Sequence, residues 1–424
     1  MTIVKQYFRP LLVWFSAQVY AELIARATEH LLVKLHGKLD FAGLEQACAA
    51  YHHTTGPGTK PTHPVPRLVR ALLVQYVCDW SLRQLEFQIR YNLVVKWFVG
   101  YNILDAGPDH STLQRFEDWV CAQQQRVFFD QVLQQIDAEF PADRTQTQLG
   151  DTYALHAAAA KEALVRLLRH TCERVLRELA VIAPSAHQRV SAKLERSVLF
   201  GPTDERSYFR MSSPERAAQL QNTVVGALQL IQLVRAQLLA QTAHAAHEQY
   251  PLVNWLACLE KILGDEVAMQ RDAAGRVVRV TRLPKEQRGS YRLGSATDPE
   301  ATYRVHGADK VDFGYNVSVA ATINFVREIQ ADTGAQPDAV ALPDLLTAQI
   351  EYHDTVPTKF IYDAAAGNGK THAAVERATT GRTQLVAPLI AHAKNAARFT
   401  PDDFTLSADG NTLTCPNAQT TTTA

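Results

Sequence analysis

The sequence lacks features that mark several whole classes of protein. Its six cysteines stand singly, without the close pairs that zinc ribbons and redox motifs require, so we expect reduced thiols. No apolar stretch approaches the roughly 20 residues that a membrane-spanning helix needs. No signal-type apolar core with a cleavage site follows Lys5 and Arg9. These absences predict a soluble, cytoplasmic protein without a membrane partner.

Net charge is also absent, because 43 Lys and Arg balance 43 Asp and Glu over 424 residues. This balance excludes a global polycation that would bind nucleic acid non-specifically. The two signs are nevertheless segregated: residues 161–292 carry 20 basic and 13 acidic side chains, whereas residues 293–424 carry 9 and 15. A hydrophobic fraction of 46% and a charged fraction of 20% are ordinary for a globular chain and exclude a disordered one.

Apolar residues at helical spacing predict that residues 1–140 form helices. Ser81 with Gln84, and Ser111 with Gln114, have the spacing of capping boxes and predict two helix starts. Short-linked helices are typical both of helix-turn-helix DNA readers and of structural bundles, and both interpretations stay open. The candidate phosphate contacts in this region are Arg83, Arg90, Lys96 and Arg115.

After Thr145 the sequence no longer shows helical spacing alone, and strand patterns alternate with helical ones. Residues 148–155 read as a strand with Asp151 in its middle, and helical spacing returns between residues 157 and 268. Further strands are predicted at residues 312–322, 324–330, 358–362 and 383–386, with a helix at 339–351. We therefore predict a helical domain at 1–144 and an α/β domain at 145–424, whose mixed sheet is interrupted by a helical, basic insertion at about 157–292.

Two aspartates are the sharpest candidates for a site. Asp363 ends the short strand pattern of residues 359–362, and carboxylates at the carboxyl ends of α/β strands lie where such sheets bind ligands. Asp151 on a second strand adds the partner that a Mg²⁺ or Mn²⁺ site for phosphoryl transfer needs. The alternative is that Asp363 caps a turn and Asp151 is a solvent-facing edge residue.

Four segments within residues 66–120 form an ordered set of motifs, namely 67–73 (RLVRALL), 81–86 (SLRQLE), 97–101 (WFVGY) and 108–116 (PDHSTLQRF). Together they resemble the N-terminal helical domain of bacterial insertion-sequence transposases. Later pieces agree with it, namely residues 150–152 (GDT), 295–301 (SATDPEA), 314–316 (GYN) and 363–364 (DA). The resemblance implies an RNase H-like DDE transposase fold, in which Asp151 and Asp363 are catalytic and bind the metal.

The resemblance also implies partners and a place of action. Such an enzyme binds the terminal inverted repeats of its element and target DNA, as a homo-oligomer at the bacterial nucleoid, and cleaves and joins DNA strands with Mg²⁺ or Mn²⁺. Basic residues would neutralise DNA phosphates, which makes affinity salt-dependent; in the alternative they are solvated surface charges. The candidates in the basic segment are Arg276, Arg279, Arg282 and Arg288.

The sequence departs from the family pattern in one important respect. The third catalytic acid of the family is a glutamate beyond the motif at residues 414–416, but this chain ends at Ala424, and Glu376 lies too close to Asp363 to replace it. We therefore expect a C-terminally truncated enzyme or a remnant that only binds DNA. A further alternative is a P-loop NTPase, because residues 364–371 (AAAGNGKT) resemble a phosphate-binding loop.

Overall fold

The computed structural model describes residues 2–52, 62–202, 208–239, 246–289, 291–306, 310–388, 399 and 403–422. The chain divides into two compact units: the first contains Met1–Gln146 and Ile350–Thr355, and the second contains Thr147–Gln349 and Val356–Ala424. Among the described residues, no helix has the length and apolar character needed to cross a bilayer.

The first unit is helical, as the apolar spacing predicts. Its helices are α1 (Thr2–Arg26), α2 (Leu31–Lys38), α3 (Ala42–Ala47), α4 (Val65–Cys78), α5 (Leu82–Tyr91), α6 (Leu93–Val99), α7 (His110–Gln123) and α8 (Val127–Glu139). Leu68, Val69 and Leu72 of α4 are fully buried and share one apolar core with Phe98 and Phe116. Burial of this continuous core is the main force that holds the short helices together.

Both predicted helix starts are confirmed, but only one of the two predicted capping boxes forms. At α5 the Ser81 side chain accepts from the Gln84 backbone N–H and the Gln84 side chain accepts from the Ser81 backbone N–H, which is a complete capping box. At α7 the cap is Asp109, whose carboxylate accepts from the Thr112 N–H at 2.7 Å, so the helix begins at His110. Asp109 is as good an N-cap residue as Ser111 and stands two residues before it, so the predicted box of Ser111 and Gln114 is not the cap.

The second unit opens with strand β1 (Gln148–His156), and a block of helices follows it. The helices are α9 (Leu164–Ile182), α10 (Pro184–Lys193), α11 (Arg196–Phe200), α12 (Ser213–Leu239) and α13 (Ala246–Glu266). They enclose their own apolar core, which includes Leu168, Cys172 and Val175 of α9. An antiparallel hairpin of β2 (Val267–Arg271) and β3 (Val277–Arg282) completes the insertion.

The rest of the second unit returns to the sheet that β1 began. Its elements are β4 (Thr302–His306), β5 (Lys310–Ala321), β6 (Val326–Thr333), α14 (Asp338–His353), β7 (Lys359–Ile361), α15 (Gly369–Thr379) and β8 (Gln384–Val386). Strand β5 pairs antiparallel with β1, β4 and β6, while β7 pairs parallel with both β1 and β8. The predicted α/β fold with a large helical part and an interrupted mixed sheet is thus confirmed.

One face of this sheet packs against helices. Leu342, Leu345 and Leu346 of α14 and Val375 of α15 form a core with the fully buried Phe360 of β7. A small antiparallel sheet of β9 (Thr405–Leu406), β10 (Thr412–Thr414) and β11 (Thr420–Thr422) ends the described chain. All six cysteines are free.

Candidate functional site

The parallel pairing of β1 with β7 places Asp151 and Asp363 towards the same end of two adjacent strands. The parallel register joins Gln148 to Phe360 and Leu149 to Ile361, and two further steps along both strands reach Asp151 and Asp363. The extended backbone continues to Tyr362, whose N–H donates to the Val386 carbonyl of β8 at 3.0 Å. Adjacent strands lie roughly 4.8 Å apart, so the two carboxylates are neighbours on the sheet.

Both carboxylates lie on the sheet face opposite the helical core. Side chains alternate along a strand, so Gly150 lies on one face of β1 and Asp151 on the other. A Cβ atom at Gly150 would lie 2.6 Å from Tyr362 Cδ2 and closer still to the Phe360 ring, so these aromatic rings occupy the Gly150 face. Asp151 and Asp363 are both exposed. Only glycine leaves room at position 150 for rings that pack directly on the β1 backbone.

One oxygen of each carboxylate is held by a nearby backbone N–H. Asp151 Oδ1 accepts from the Thr152 N–H at 2.7 Å, and Asp363 Oδ1 accepts from the Ala365 N–H at 3.0 Å. Asp363 therefore does cap the turn at Ala364–Ala366, as the alternative interpretation expected. Capping uses one oxygen only, and from the described residues the Oδ2 atoms of Asp151 and Asp363 accept no hydrogen bond.

The donor set fits a hard cation. Mg²⁺ prefers oxygen ligands and is usually held by one or two carboxylates, with water and substrate phosphate completing its shell. Asp151 and Asp363 offer two such carboxylates on neighbouring strands. Over the described ranges, no group of three or more His, Cys, Asp or Glu side chains has a metal-holding geometry.

A third carboxylate contributes to the electrostatics beside this pair. Burial raises the pKa of Tyr362 well above its usual value, and the negative charges of Asp338, Asp363 and Asp151 raise it further, in that order. In the described part of the chain, the Tyr362 hydroxyl has no hydrogen-bond partner. Tyr362 is therefore a neutral, buried residue beside three carboxylates.

Asp338 and Arg304, which the sequence analysis missed, connect α14 and β4 to β1 next to Asp151. Arg304 Nη2 donates to Thr152 Oγ1 at 3.0 Å and lies 4.0 Å from Asp338 Oδ2. Asn316 Nδ2 donates to Asp338 Oδ1 at 2.7 Å. The only sequence signal near this network is the motif at residues 314–316, which contains Asn316.

The candidate phosphate contacts of the first unit have different surroundings. Arg83 and Arg115 are exposed, and Arg115 Nη2 donates to Thr112 Oγ1 at 3.2 Å. Arg90, also exposed, forms an ion pair with Glu86 one helical turn earlier, at 3.0 Å. Lys96 is corrected as a candidate: it is 3% exposed, and its Nζ donates to the Ile103 carbonyl at 2.8 Å. Burial lowers the pKa of Lys96 and removes it from any DNA surface.

The candidates of the basic segment fall into two groups. Arg276 and Arg279 are exposed on the hairpin, and Arg276 pairs with Asp272 at 2.8 Å. Arg282 and Arg288 instead converge on Glu266, whose side chain is 5% exposed, at 2.8 and 3.7 Å. Arg292 joins the same carboxylate at 3.2 Å. Because three guanidinium groups share one carboxylate, this cluster keeps an excess of positive charge.

The phosphate-loop interpretation of residues 364–371 is not favoured by the local geometry. Asn368 caps α15, and its Oδ1 accepts from both the Thr371 N–H and the Thr371 hydroxyl at 3.0 and 3.1 Å. A Cβ atom at Gly367 would clash with the Pro388 carbonyl, so the loop packs against its own chain. The cap thus already uses both donors of Thr371, which a phosphate-binding loop would direct at its ligand.

Comparison with known proteins gives one match. A family described as Transposase domain (DUF772) matches residues 21–119, which begin within α1 and end within α7. No curated protein and no solved structure matches the chain. The family match overlaps the helical region in which the transposase resemblance was found, and it supports a transposase role for this protein.

Proposed function

We propose that the protein is a DNA transposase that cleaves DNA and transfers strands with Asp151 and Asp363. Its first unit would bind the terminal inverted repeats of the element, and the protein would act as a homo-oligomer on DNA of the bacterial nucleoid. The observation that supports the proposal is the pair of exposed carboxylates, one on β1 and one just after the neighbouring parallel strand β7, in a chain whose residues 21–119 match a transposase domain.

The sheet topology supports an RNase H-like assignment for the second unit. In the six-stranded sheet β4 and β6 both pair with β5, and the order continues from β5 to β1, β7 and β8. Pairing is antiparallel among β4, β6, β5 and β1, and parallel among β1, β7 and β8. This order, with the acids on the central β1 and just after β7, is the arrangement that an RNase H-like nuclease would have. The long helical insertion lies between β1 and the strands that pair with it.

The residues of the chain would prepare the site in two ways. The Thr152 and Ala365 N–H groups orient the carboxylates through their Oδ1 atoms and leave the Oδ2 atoms for a divalent cation. When bound, that cation would activate water or a 3′-hydroxyl and stabilise the leaving oxygen of an in-line displacement at phosphorus. Arg304 would hold the β1 backbone through Thr152, so that Asp151 keeps its position.

A nicking assay tests this proposal. The substrate is a supercoiled plasmid that carries the DNA flanking the coding sequence, incubated with Mg²⁺ or Mn²⁺ beside a gel shift on the same DNA. We expect the wild type to nick it, and Asp151→Asn and Asp363→Asn to bind the DNA without nicking. Asp344→Asn removes an exposed carboxylate of α14 and is the matched control. If the wild type binds without cleaving, the enzymatic proposal fails and a DNA-binding, regulatory role remains.

A further inference from the structure

A cavity of about 830 Å³ opens in the helical insertion of the second unit, away from the two aspartates in sequence. Its walls come from the first turns of α9, from α12 and from the end of β3. Small-molecule sites typically occupy roughly 300–1,000 Å³ and combine an apolar floor with a few polar groups. Here Leu164 and Leu220 supply apolar surface, and most of the remaining lining side chains are polar or charged.

The cavity is lined by four arginines, Arg166, Arg169, Arg216 and Arg282, and by one carboxylate. Arg169 Nε donates to the Leu199 carbonyl and Arg216 Nε to the Met211 carbonyl, each at 3.1 Å, so their guanidinium groups are held in place. Arginine matches phosphate geometry because its planar fork donates two parallel hydrogen bonds.

Arg166 stands nearest to solvent among these arginines. Its side chain is 80% exposed, and its Nε lies 3.8 Å from Glu162 Oε1, beyond hydrogen-bond distance. A loosely held, exposed guanidinium at the edge of a cavity can turn towards an incoming anion. Arg166 is therefore the residue whose substitution changes the cavity's charge at the smallest cost to the fold.

Two further observations at the cavity point to a ligand. The N-terminus of α9 contributes to its wall, and Ala163 at the N-cap provides no side-chain hydrogen bond to the first N–H groups of this 19-residue helix. Uncapped N–H groups at a helix start attract anions. Gln219, which lines the cavity from α12, has a buried Oε1 atom with no hydrogen-bond partner among the described residues. A buried acceptor without a donor is costly, and a ligand N–H would satisfy it.

We propose that this cavity binds a nucleoside phosphate. The phosphate would lie between Arg166 and the N-terminus of α9, the base would pack against Leu164 and Leu220, and a base N–H would donate to Gln219 Oε1. The ligand is either a free nucleotide or an unpaired nucleotide of a DNA strand, which offer the same chemistry. The inference does not depend on Asp151 and Asp363, so failure of the cleavage assay would leave it standing.

Isothermal titration calorimetry of the full-length protein tests the proposal with two probes, ATP and a short 5′-phosphorylated single-stranded oligonucleotide. We expect Arg166→Glu to weaken binding by about tenfold or more, because it replaces an attraction with a repulsion at the phosphate. Arg177→Glu is the matched control, since this exposed arginine lies on α9 but does not line the cavity. We expect its effect to stay below about twofold, as for a distant surface charge.

A second variant separates the base from the phosphate. Gln219→Leu keeps the charge of the cavity and removes the unpaired acceptor, and we expect it to weaken binding several-fold for the same probe. Binding of ATP alone would identify a free nucleotide as the ligand, and binding of the oligonucleotide alone would identify a strand of DNA. The proposal is overturned if neither probe binds the wild type, if Arg166→Glu and Arg177→Glu weaken binding equally, or if Gln219→Leu leaves binding unchanged.

Discussion

The helical core of the first unit and the sheet of the second unit differ in how much of their apolar surface is shielded from solvent. In the first unit, the helices enclose a core in which Phe98 and Phe116 are fully buried. In the second unit, α14 and α15 pack on one face of the sheet, while Leu149 and Tyr153 remain 52% and 48% exposed on the face that carries Asp151. Substitutions should therefore cost mainly stability in the first unit and mainly activity on the open face of the sheet.

The largest effect on stability is expected for Phe98→Ala. Phe98 is fully buried and packs edge-to-face on Phe41 with ring centroids 5.7 Å apart, so truncation leaves a cavity. We expect the free energy of unfolding of the first unit to fall by about 3–5 kcal/mol. Hydrogen exchange followed by mass spectrometry measures this separately for the peptides of each unit.

Tyr153→Ala is the matched aromatic truncation on the open sheet face. Because Tyr153 is half exposed, we expect a loss below about 1 kcal/mol in the peptides of the second unit. Equal losses for Phe98→Ala and Tyr153→Ala would contradict the comparison between a closed core and an open sheet face.

Gly150→Ala should have the next largest effect, because neighbouring aromatic rings leave no room for a side chain at position 150. The added methyl group meets the rings of Phe360 and Tyr362, and overpacking of this kind costs about 1–3 kcal/mol. Since Gly150 and Tyr362 directly precede Asp151 and Asp363, nicking should fall together with stability. Gly264→Ala is the control: its Cβ meets no atom within 4 Å in a helix, and it should stabilise the protein.

Ser81→Ala should remove about 1 kcal/mol from the first unit, because it breaks the capping box at the start of α5. Ser111→Ala is the matched substitution at the position where the sequence predicted a second box. Since Asp109 caps α7, we expect Ser111→Ala to change the free energy of unfolding by less than about 0.5 kcal/mol. A larger loss for Ser111→Ala than for Ser81→Ala would contradict the observed caps.

The smallest effect is a pH dependence that comes from Glu86. Hydrogen bonds from the His110 ring and backbone N–H, at 2.8 and 3.0 Å, lower the pKa of Glu86 below its ordinary value of 4.5. The stabilisation is therefore present above pH 4.5 and is lost as the pH falls towards the lower pKa of the folded protein. Denaturant titrations at several pH values measure this loss in the free energy of unfolding, and we expect Glu86→Gln to make it smaller. If the loss below pH 4.5 is the same in Glu86→Gln as in the wild type, Glu86 is not its source.

Local patterns in the sequence were sufficient to predict most elements. The apolar period identifies the helices of the first unit, and the strand patterns at residues 148–155 and 358–362 correspond to β1 and β7. Two features escaped such patterns. One is strand β4, which is short. The other is the burial of Lys96 in α6: the neighbouring helices decide which face of α6 is covered, and the sequence of α6 alone does not show this.

The site itself depends on long-range pairing, and local patterns carry little information about it. Asp151 and Asp363 are recognisable as acids in or just after two strand patterns, but only the parallel pairing of β1 with β7 shows that these strands are neighbours. The contacts of Arg304 with Thr152 and Asp338 join residues far apart in the chain. No local spacing encodes such contacts, so these two residues could not be predicted.

The central claim is that Asp151 and Asp363 together hold one divalent cation site. When Fe²⁺ replaces Mg²⁺ and hydrogen peroxide and ascorbate are added, the bound Fe²⁺ reduces the peroxide to hydroxide and a hydroxyl radical, and ascorbate reduces the resulting Fe³⁺ again. The radicals cut the backbone next to the bound ion, and mass spectrometry locates the cuts. We predict cuts beside both residue 151 and residue 363, suppressed by excess Mg²⁺ and abolished by either Asp151→Asn or Asp363→Asn. Cuts beside only one of the two aspartates, or cuts that survive both substitutions, would contradict the account.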